Sequence, residues 1–184
     1  MSGKRACVLF FAAVLCGCQS PAAYGPDSPW YRYPSGVALV LDTPLVIGPG
    51  EATLRLQSGR VVARNAVQEQ EPFCVLESLR VLPDAQRVEP DRFAVTRVAR
   101  SVSSIAEAAG PVADVVRVRF GGDDGPTFLY FKTEFTLHSP RQPDIVRLTC
   151  MVNQNAAGNA GAMRHLTLAE IRQAVAGYFR IVLP

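Results

Sequence analysis

The stretch TFLYFKTEFTLHSPRQPDIVRLTCMV, residues 127–152, decides the fold class, because apolar and polar side chains alternate along two long segments of it. One face of the first segment carries Leu129, Phe131, Phe135 and Leu137. The matching face of the second segment carries Val146, Leu148 and Cys150. A period of two is typical of strands with one buried and one solvated face. The stretch therefore predicts two strands of a half-buried antiparallel sheet.

Shorter segments with the same period extend this sheet in both directions. EATLRLQ and RVVA are separated by Ser58-Gly59, which predicts a hairpin. VALVLD and PLVIG form a short apolar pair around Asp42-Thr43-Pro44. Further strands are predicted at FCVLESLRV, FAVTRVA and VVRVRF, and Gly121–Pro126 reads as a hairpin loop between the last of these and residue 127.

The period changes only near the end of the chain. In LTLAEIRQAVAGYF, Thr167 stands three residues before Glu170, the spacing of a helix capping box. RIVL follows and predicts a last short strand. The fold is thus expected to be mainly β, an antiparallel β-sandwich or partly open barrel of about seven or eight strands with one C-terminal α-helix.

The beginning of the chain has the composition of an export signal. Lys4 and Arg5 precede ACVLFFAAVL, an uncharged apolar run that is the right length for a secretory signal peptide and too short to span a bilayer. The run ends in Leu15-Cys16-Gly17-Cys18.

This LCGC sequence resembles the lipobox of bacterial lipoproteins, with a branched aliphatic residue first, a small residue third and cysteine last. The resemblance implies cleavage after Gly17 and acylation of Cys18. Cys16 fits the modified position badly, because Leu15 would stand where a small side chain is required. Gln19 follows the cysteine, which in such proteins implies transfer to the outer membrane, facing the periplasm.

Three regions follow from this organisation. Residues 1–17 are expected to be a signal peptide, residues 18–36 a lipidated N-terminus and flexible tether, and residues 37–184 a single β-rich domain. The tether is rich in Pro, Gly and Ser but also holds Trp30, Tyr31 and Tyr33. These aromatic side chains either dock on the domain or lie at the lipid interface.

The five cysteines can be assigned on this basis. Cys7 and Cys16 leave with the signal and Cys18 carries lipid, so Cys74 and Cys150 remain. In an oxidising compartment two remaining cysteines are usually a structural disulfide. A redox or metal role is the alternative, but there is no CxxC motif and no neighbouring histidine.

Charge and motifs limit the function classes. Without Lys4 and Arg5 the chain holds 17 basic and 16 acidic side chains, which argues against a nucleic-acid partner. His138 and His165 have no carboxylate or cysteine at metal-ligand spacing and read as surface or capping residues. No GxSxG elbow marks a nucleophile. We therefore expect no catalytic residues, no metal site, no cofactor and no enzymatic activity.

Two groups of charged residues lie within the predicted strands. Arg117, Arg119, Lys132 and Arg147 fall on the outer faces of three strands and form a possible anion-binding face, although a solvated face with Glu134 as a cross-strand partner explains them as well. Glu77 lies inside an apolar strand, so an arginine partner or a bulge is expected for it.

PGEATLRLQSGRVV, CVLE and SPRQPDIVRLTC also loosely resemble segments of small uncharacterised proteobacterial lipoproteins. The expected function is non-catalytic: a membrane-anchored component of the cell envelope with a protein partner. The alternative is a carrier of lipid or a small molecule, in which Phe120, Phe131, Phe135 and Leu148 would line an apolar cavity instead of filling the core.

Overall fold

The computed structural model describes residues 24–103, 128–155 and 163–184. Its strands are β1 Ala38–Leu41, β2 Leu45–Ile47, β3 Thr53–Gln57, β4 Arg60–Val62, β5 Phe73–Ser78, β6 Gln86–Val88, β7 Asp91–Ser103, β8 Phe128–His138, β9 Ile145–Asn155 and β10 Phe179–Val182. The one described helix is α1, Leu168–Ala174. A 3₁₀ turn covers Arg64–Ala66.

Eight of these strands form one curled antiparallel sheet in the order β10-β1-β7-β8-β9-β5-β3-β4, and β2 and β6 form a small second sheet. The curled sheet is a half-barrel, so the mainly β fold class with a partly open barrel and a C-terminal helix is confirmed. The stretch 127–152 supplies its centre, because β8 pairs with β7 on one side and β9 on the other.

The β3–β4 hairpin forms at Ser58-Gly59, where both residues have positive φ angles, 49° and 71°. Two such residues give the type I′ turn that matches the twist of paired strands. A Cβ on Gly59 would lie 3.0 Å from the carbonyl oxygen of Ala176, so glycine is also needed for this close approach. The Gly59 amide donates to the carbonyl of Ala174 at 3.1 Å, which fixes the hairpin against the end of α1.

The main hydrophobic core lies on one face of the large sheet, here called the core face. It includes side chains from both sheets and from α1 that are almost completely buried: Leu39, Leu41, Leu45, Ile47, Leu56, Leu76, Phe93, Phe135, Leu148, Leu168 and Ile171. The opposite face, the outer face, carries a smaller buried cluster of Phe73, Val75, Tyr130 and Met151, against which Val67 packs. The central strands are therefore covered on both faces, which explains their apolar outer positions.

Helix α1 begins as the sequence predicts but is shorter than its apolar pattern. The hydroxyl of Thr167 accepts from the Glu170 amide and the Glu170 carboxylate accepts from the Thr167 amide, so the capping box is confirmed. The helix ends at Ala174, and the chain turns at Gly177, with φ 76°, into the predicted last strand β10.

The aromatic residues before Val37 pack on the domain. Tyr31 and Tyr33 contact the main core, and the ring of Tyr33 meets that of Phe135 edge to face at 5.1 Å between centroids. Trp30 stays 56% exposed, with one edge toward His165. Of the two expectations for these side chains, docking on the domain describes Tyr31 and Tyr33, so the packed unit extends N-terminal to residue 37.

Some predicted strands pair differently in the structure, and others lie outside the described residues. VALVLD and PLVIG do not pair with each other, because β1 lies between β10 and β7 while β2 pairs with β6, a strand the sequence analysis missed. The predicted strand VVRVRF and the hairpin loop Gly121–Pro126 lie outside the described residues, as does Phe120. Strand β7 continues to Ser103, beyond the predicted segment FAVTRVA.

Candidate functional site

The two cysteines of the domain form the expected disulfide. Cys74 on β5 and Cys150 on β9 are directly opposite in the strand register and are bonded to each other. Both are completely buried in the main core. The bond closes a sequence separation of 76 residues and has a structural position, far from solvent.

Cys18, the predicted lipidation site, lies outside the described residues.

The predicted anion-binding face is only partly described, because Arg117 and Arg119 also lie outside the described residues. Lys132 is on the outer face but only 5% exposed. The side chain of Arg147 is 30% exposed and its Nη1 lies 3.6 Å from a carboxylate oxygen of Glu77 and 3.9 Å from one of Glu134. These two described members therefore offer little positive charge to an external anion.

Glu77 has the arginine partner that its apolar surroundings required. Burial raises the pKa of its carboxyl group, Arg147 lowers it, and the neighbouring Glu134 raises it again. The 3.6 Å ion pair and the raised pKa point in opposite directions. We give burial the greater weight, because the side chain is only 16% exposed and two carboxylates share one guanidinium. Glu77 thus lies in a partly buried ion pair with Arg147.

A loop before β5 is held on the outer face by several hydrogen bonds. Gln57, at the end of β3 and 6% exposed, uses both ends of its amide on this loop. Its Nε2 donates to the carbonyl of Gln68 at 2.8 Å and its Oε1 accepts from the Gln68 amide at 2.9 Å. The Glu71 amide closes the turn on the Gln68 carbonyl at 2.9 Å. The loop is thus held in one conformation above the outer face.

Glu69 joins this loop to the centre of the sheet. Its backbone carbonyl accepts from the Asn153 amide at 2.7 Å. Its carboxylate accepts a short hydrogen bond from the Tyr130 hydroxyl and a long one, 3.5 Å, from Asn153 Nδ2. Burial and the Glu69 carboxylate both raise the pKa of Tyr130, which therefore stays a hydrogen-bond donor. Asn153 is 6% exposed and its Oδ1 has no hydrogen-bond partner.

Two open clefts lie on either side of Asn153. One, of about 530 Å³, is lined by Gln68, Glu69, Gln70, Glu71 and Asn153. The other, of about 250 Å³, is lined by Gln70, Pro72, Val152, Asn153, Gln154, Arg164, Leu166 and Glu170. Because Gln70 and Asn153 belong to both, we treat the clefts as one feature, the polar groove.

The far end of the polar groove is fixed by an ion pair. Arg164 donates to both carboxylate oxygens of Glu170, at 2.8 and 2.7 Å. This interaction, with the Thr167 hydrogen bonds, lowers the pKa of Glu170 to about 2. Gln154 holds the backbone of Arg164 through both ends of its amide, at 2.9 and 2.7 Å. The groove is therefore preorganised at both ends by amide side chains.

The loop side of the polar groove is rich in hydrogen-bond acceptors. Glu69, Glu71 and Asn153 present acceptor oxygens, whereas the guanidinium of Arg164 is already engaged by Glu170. A matching ligand would bring N–H or O–H donors. Among residues 24–103, 128–155 and 163–184, no three His, Cys, Asp or Glu side chains are arranged to hold a metal ion.

The histidines do not join this groove as ligands. His138 is exposed, as expected. His165 is only 8% exposed, so its interpretation as a surface or capping residue was wrong. It packs between Trp30 and Phe131 on the core face, where isolated sequence spacing gives no indication of burial.

The groove itself was missed by the sequence analysis. The signal that could have indicated it is the run QEQE, residues 68–71, in which amides and carboxylates crowd one loop immediately before an apolar strand. The importance of Asn153 and Gln57 could not be read in this way, because both occupy outer-face positions of strands whose covering by a loop depends on the tertiary structure.

The described part of the chain contains no helix that is long and apolar enough to cross a membrane. The sequence matches no protein-family model, and neither the curated proteins nor the solved structures yield a significant match.

Proposed function

We propose that the protein is a lipoprotein of the bacterial outer membrane, anchored through Cys18 and facing the periplasm, which binds another envelope component and performs no chemistry of its own. The anchor rests on the LCGC sequence and the preceding apolar run. The binding role rests on one observation, the polar groove with its clamped loop and the unpartnered oxygen of Asn153.

The partner is expected to contribute hydrogen-bond donors, as lysine, arginine or amide side chains of a protein segment do. An unpaired buried acceptor costs about 1–3 kcal/mol, and a donor from the partner would remove that cost. Holding the loop in advance lowers the entropy lost on binding. Both effects favour recognition over a purely structural loop.

The alternative of a lipid or small-molecule carrier is less well supported. Phe135 and Leu148 are completely buried in the core cluster, and Phe135 is covered by Tyr33. Phe131 is partly buried against His165. Phe135 and Leu148 thus belong to the packed core of the described residues, which favours the first hypothesis. Extraction of the purified protein with organic solvent and mass spectrometry would reveal a stoichiometric lipid if the carrier hypothesis is correct.

The anchor is tested by metabolic labelling with an alkyne fatty acid and by membrane fractionation. We expect Cys18→Ser to lose both the label and the membrane association. Cys16→Ser is the matched control and should retain both, because that residue lies in the part removed by cleavage. Labelling that survives Cys18→Ser would overturn the proposed anchor.

The groove is tested with a photo-cross-linking residue in the full-length protein in cells. Position Gln70 borders both clefts and should give a discrete adduct. Position Ala85 is exposed beside Gln86, which bonds to Ser78 at the opposite end of β5, and serves as the control. The same adducts from both positions, or none from Gln70, would contradict a partner in the groove.

A further inference from the structure

The core face contains an arginine that no carboxylate accompanies among the described residues. Arg100 lies in β7 directly opposite Thr133 of β8. Its Nη2 donates to the backbone carbonyl of Tyr31 at 2.7 Å, and its guanidinium carbon lies 5.9 Å from the centre of the Tyr33 ring. Its Nε is buried and has no hydrogen-bond partner. A guanidinium is usually buried together with an anion, so this position is unusual.

Three further polar atoms around Arg100 also lack a partner. They are the hydroxyl oxygens of Tyr33 and Thr133 and Nδ1 of His165. Thr133 is completely buried and His165 is 8% exposed. Each unpaired buried polar group costs about 1–3 kcal/mol, and such groups call for an explanation such as a bound ion or water.

Strand geometry places these groups together. Phe131, Thr133 and Phe135 are successive core-face positions of β8. His165 packs on Phe131 at 5.5 Å between ring centres, and Tyr33 packs on Phe135 at 5.1 Å. Thr133 therefore lies between the two covered rings, with Arg100 opposite it on the neighbouring strand. Arg100, Tyr31 and Phe131 are each only partly buried, so solvent reaches this cluster.

The shared chemistry of the cluster is donation. Arg100 Nε–H and the two hydroxyls can donate hydrogen bonds, and His165 can do so from Nδ1 when it is protonated. Burial lowers the pKa of His165, the Arg100 charge lowers it further, and a hydrogen bond to the Lys132 backbone raises it, so an anion bound beside the imidazole would raise the pKa again. One guanidinium matches the single charge of a carboxylate, and the rings of Tyr33 and Phe131 suit its apolar part.

We propose that this cluster binds the carboxylate group of a small organic acid or of a chain terminus, with Arg100 as the cation and Thr133 and Tyr33 as hydroxyl donors. The site is separate from the polar groove, which offers acceptors, and does not depend on the proposed partner there.

The test is NMR of the imidazole groups in the purified protein. The chain has two histidines, and the exposed His138 is the internal control for His165. Acetate is the probe, at constant ionic strength. We expect saturable shifts of the His165 resonances and a rise in its pKa on binding, with no saturable change at His138. Inorganic phosphate is the comparison anion and should shift His165 at least about threefold more weakly.

Arg100→Gln should weaken acetate binding by about tenfold, the loss of one charge-assisted hydrogen bond. Arg97→Gln, on the same strand but exposed, should leave it unchanged. Tyr33→Phe and Thr133→Val each remove one hydroxyl with little change of volume, so they should weaken binding severalfold without lowering the unfolding midpoint. Because the Tyr33 and Thr133 variants should remain folded, they distinguish the loss of a ligand contact from misfolding of the Arg100 variant.

If the His165 resonances show no saturable shift up to about 0.1 M acetate, a concentration at which even a very weak site would fill, the proposal is overturned. The unpaired groups would then be assigned to bound water. Equal binding of phosphate and acetate would overturn the assignment to carboxylates. A Tyr33→Phe protein that binds normally but unfolds earlier would show a structural hydroxyl instead of a ligand contact.

Discussion

Glu77 shows how one residue reports the balance between burial and pairing. Its carboxylate shares Arg147 with Glu134, and both ion-pair distances, 3.6 and 3.9 Å, exceed those of a hydrogen bond. The pKa of Glu77 is raised because burial desolvates its carboxyl group; Arg147 lowers the pKa, and Glu134 raises it by a smaller amount.

Glu77→Gln is therefore expected to stabilise the protein at neutral pH, by about 0.5–1 kcal/mol. Because the pKa is raised in the folded state, the native protein binds this proton more tightly than the unfolded chain. The stabilisation that the protonated Glu77 gives to the wild-type protein is complete below the pKa of the unfolded chain and is lost as the pH rises through the raised pKa of the folded protein. Urea unfolding between pH 4 and 8 should show that this loss is absent in the variant.

Glu89→Gln is the control for the substitution itself, because it removes a carboxylate from an exposed ion pair with Arg87. It should not raise the unfolding free energy at pH 7 and should lower it by at most about 1 kcal/mol. If Glu77→Gln instead destabilised the protein at pH 7, the ion pair with Arg147 would outweigh burial and the assigned direction would be wrong.

The Cys74–Cys150 bond acts on the unfolded state more than on the native contacts. Replacing both cysteines by alanine should lower the free energy of unfolding by about 2–4 kcal/mol, since the closed loop is long. Urea titration of the wild type with and without a reductant measures the same quantity. The reduced wild type should match the double variant, and identical stability of all three proteins would show that the bond is not formed in solution.

Among the elements, α1 depends most on local interactions, because it has only seven residues. Its start is fixed by the capping box and by the Arg164 pair of Glu170. Isolated helices of this length are unstable, so these interactions and the burial of Leu168 and Ile171 hold it in place.

Glu170→Gln should lower the unfolding free energy at pH 7 by about 2 kcal/mol, because it removes charge-assisted hydrogen bonds to Arg164 and Thr167. The pKa of about 2 lies below the ordinary value, so this stabilisation is present above the unfolded pKa and is lost as the pH falls toward 2. The difference between variant and wild type should shrink steadily between pH 5 and pH 2 in urea titrations. A difference that stays constant over this range would contradict the assignment to the Glu170 charge.

Local patterns predicted those elements whose signals lie within a few residues. The β3–β4 hairpin needed only Ser58-Gly59, and α1 needed only Thr167 and Glu170. The apolar period of α1 continued to Phe179, but Gly177 turns the chain and Phe179 enters β10 instead. Tertiary pairing with β1 decided that end, and no local pattern contains it.

The polar groove and the Arg100 cluster could not be predicted from the sequence, because both depend on tertiary contacts. Gln57 alternates outward along β3, as predicted, yet it is 6% exposed because a loop eleven residues later covers it. Arg100 was not singled out, since its place opposite Thr133 follows from the β7–β8 register. The disulfide was predicted in advance because counting cysteines requires no geometry, and the arginine partner of Glu77 because a carboxylate in an apolar strand needs one.

At the scale of the whole molecule, a half-barrel leaves its core face to be covered by other parts of the chain. Helix α1 covers part of it. The segment with Tyr31 and Tyr33 covers another part, and Tyr31 also gives Arg100 a carbonyl acceptor. What the sequence presents as a spacer therefore ends in a structural strap.

A variant of the domain that begins at Val37 should consequently be less stable than one that begins at Tyr24. Removal of Tyr31 and Tyr33 uncovers Phe135, but both tyrosines are only partly buried, so we expect a smaller loss than the roughly 3–5 kcal/mol typical of a fully buried aromatic side chain. The midpoints of urea unfolding measure the difference, and Tyr33→Ala in the longer protein separates the ring from the rest of the segment. If the two starting points gave the same midpoint, residues 24–36 would contribute no packing energy and would serve only as a tether.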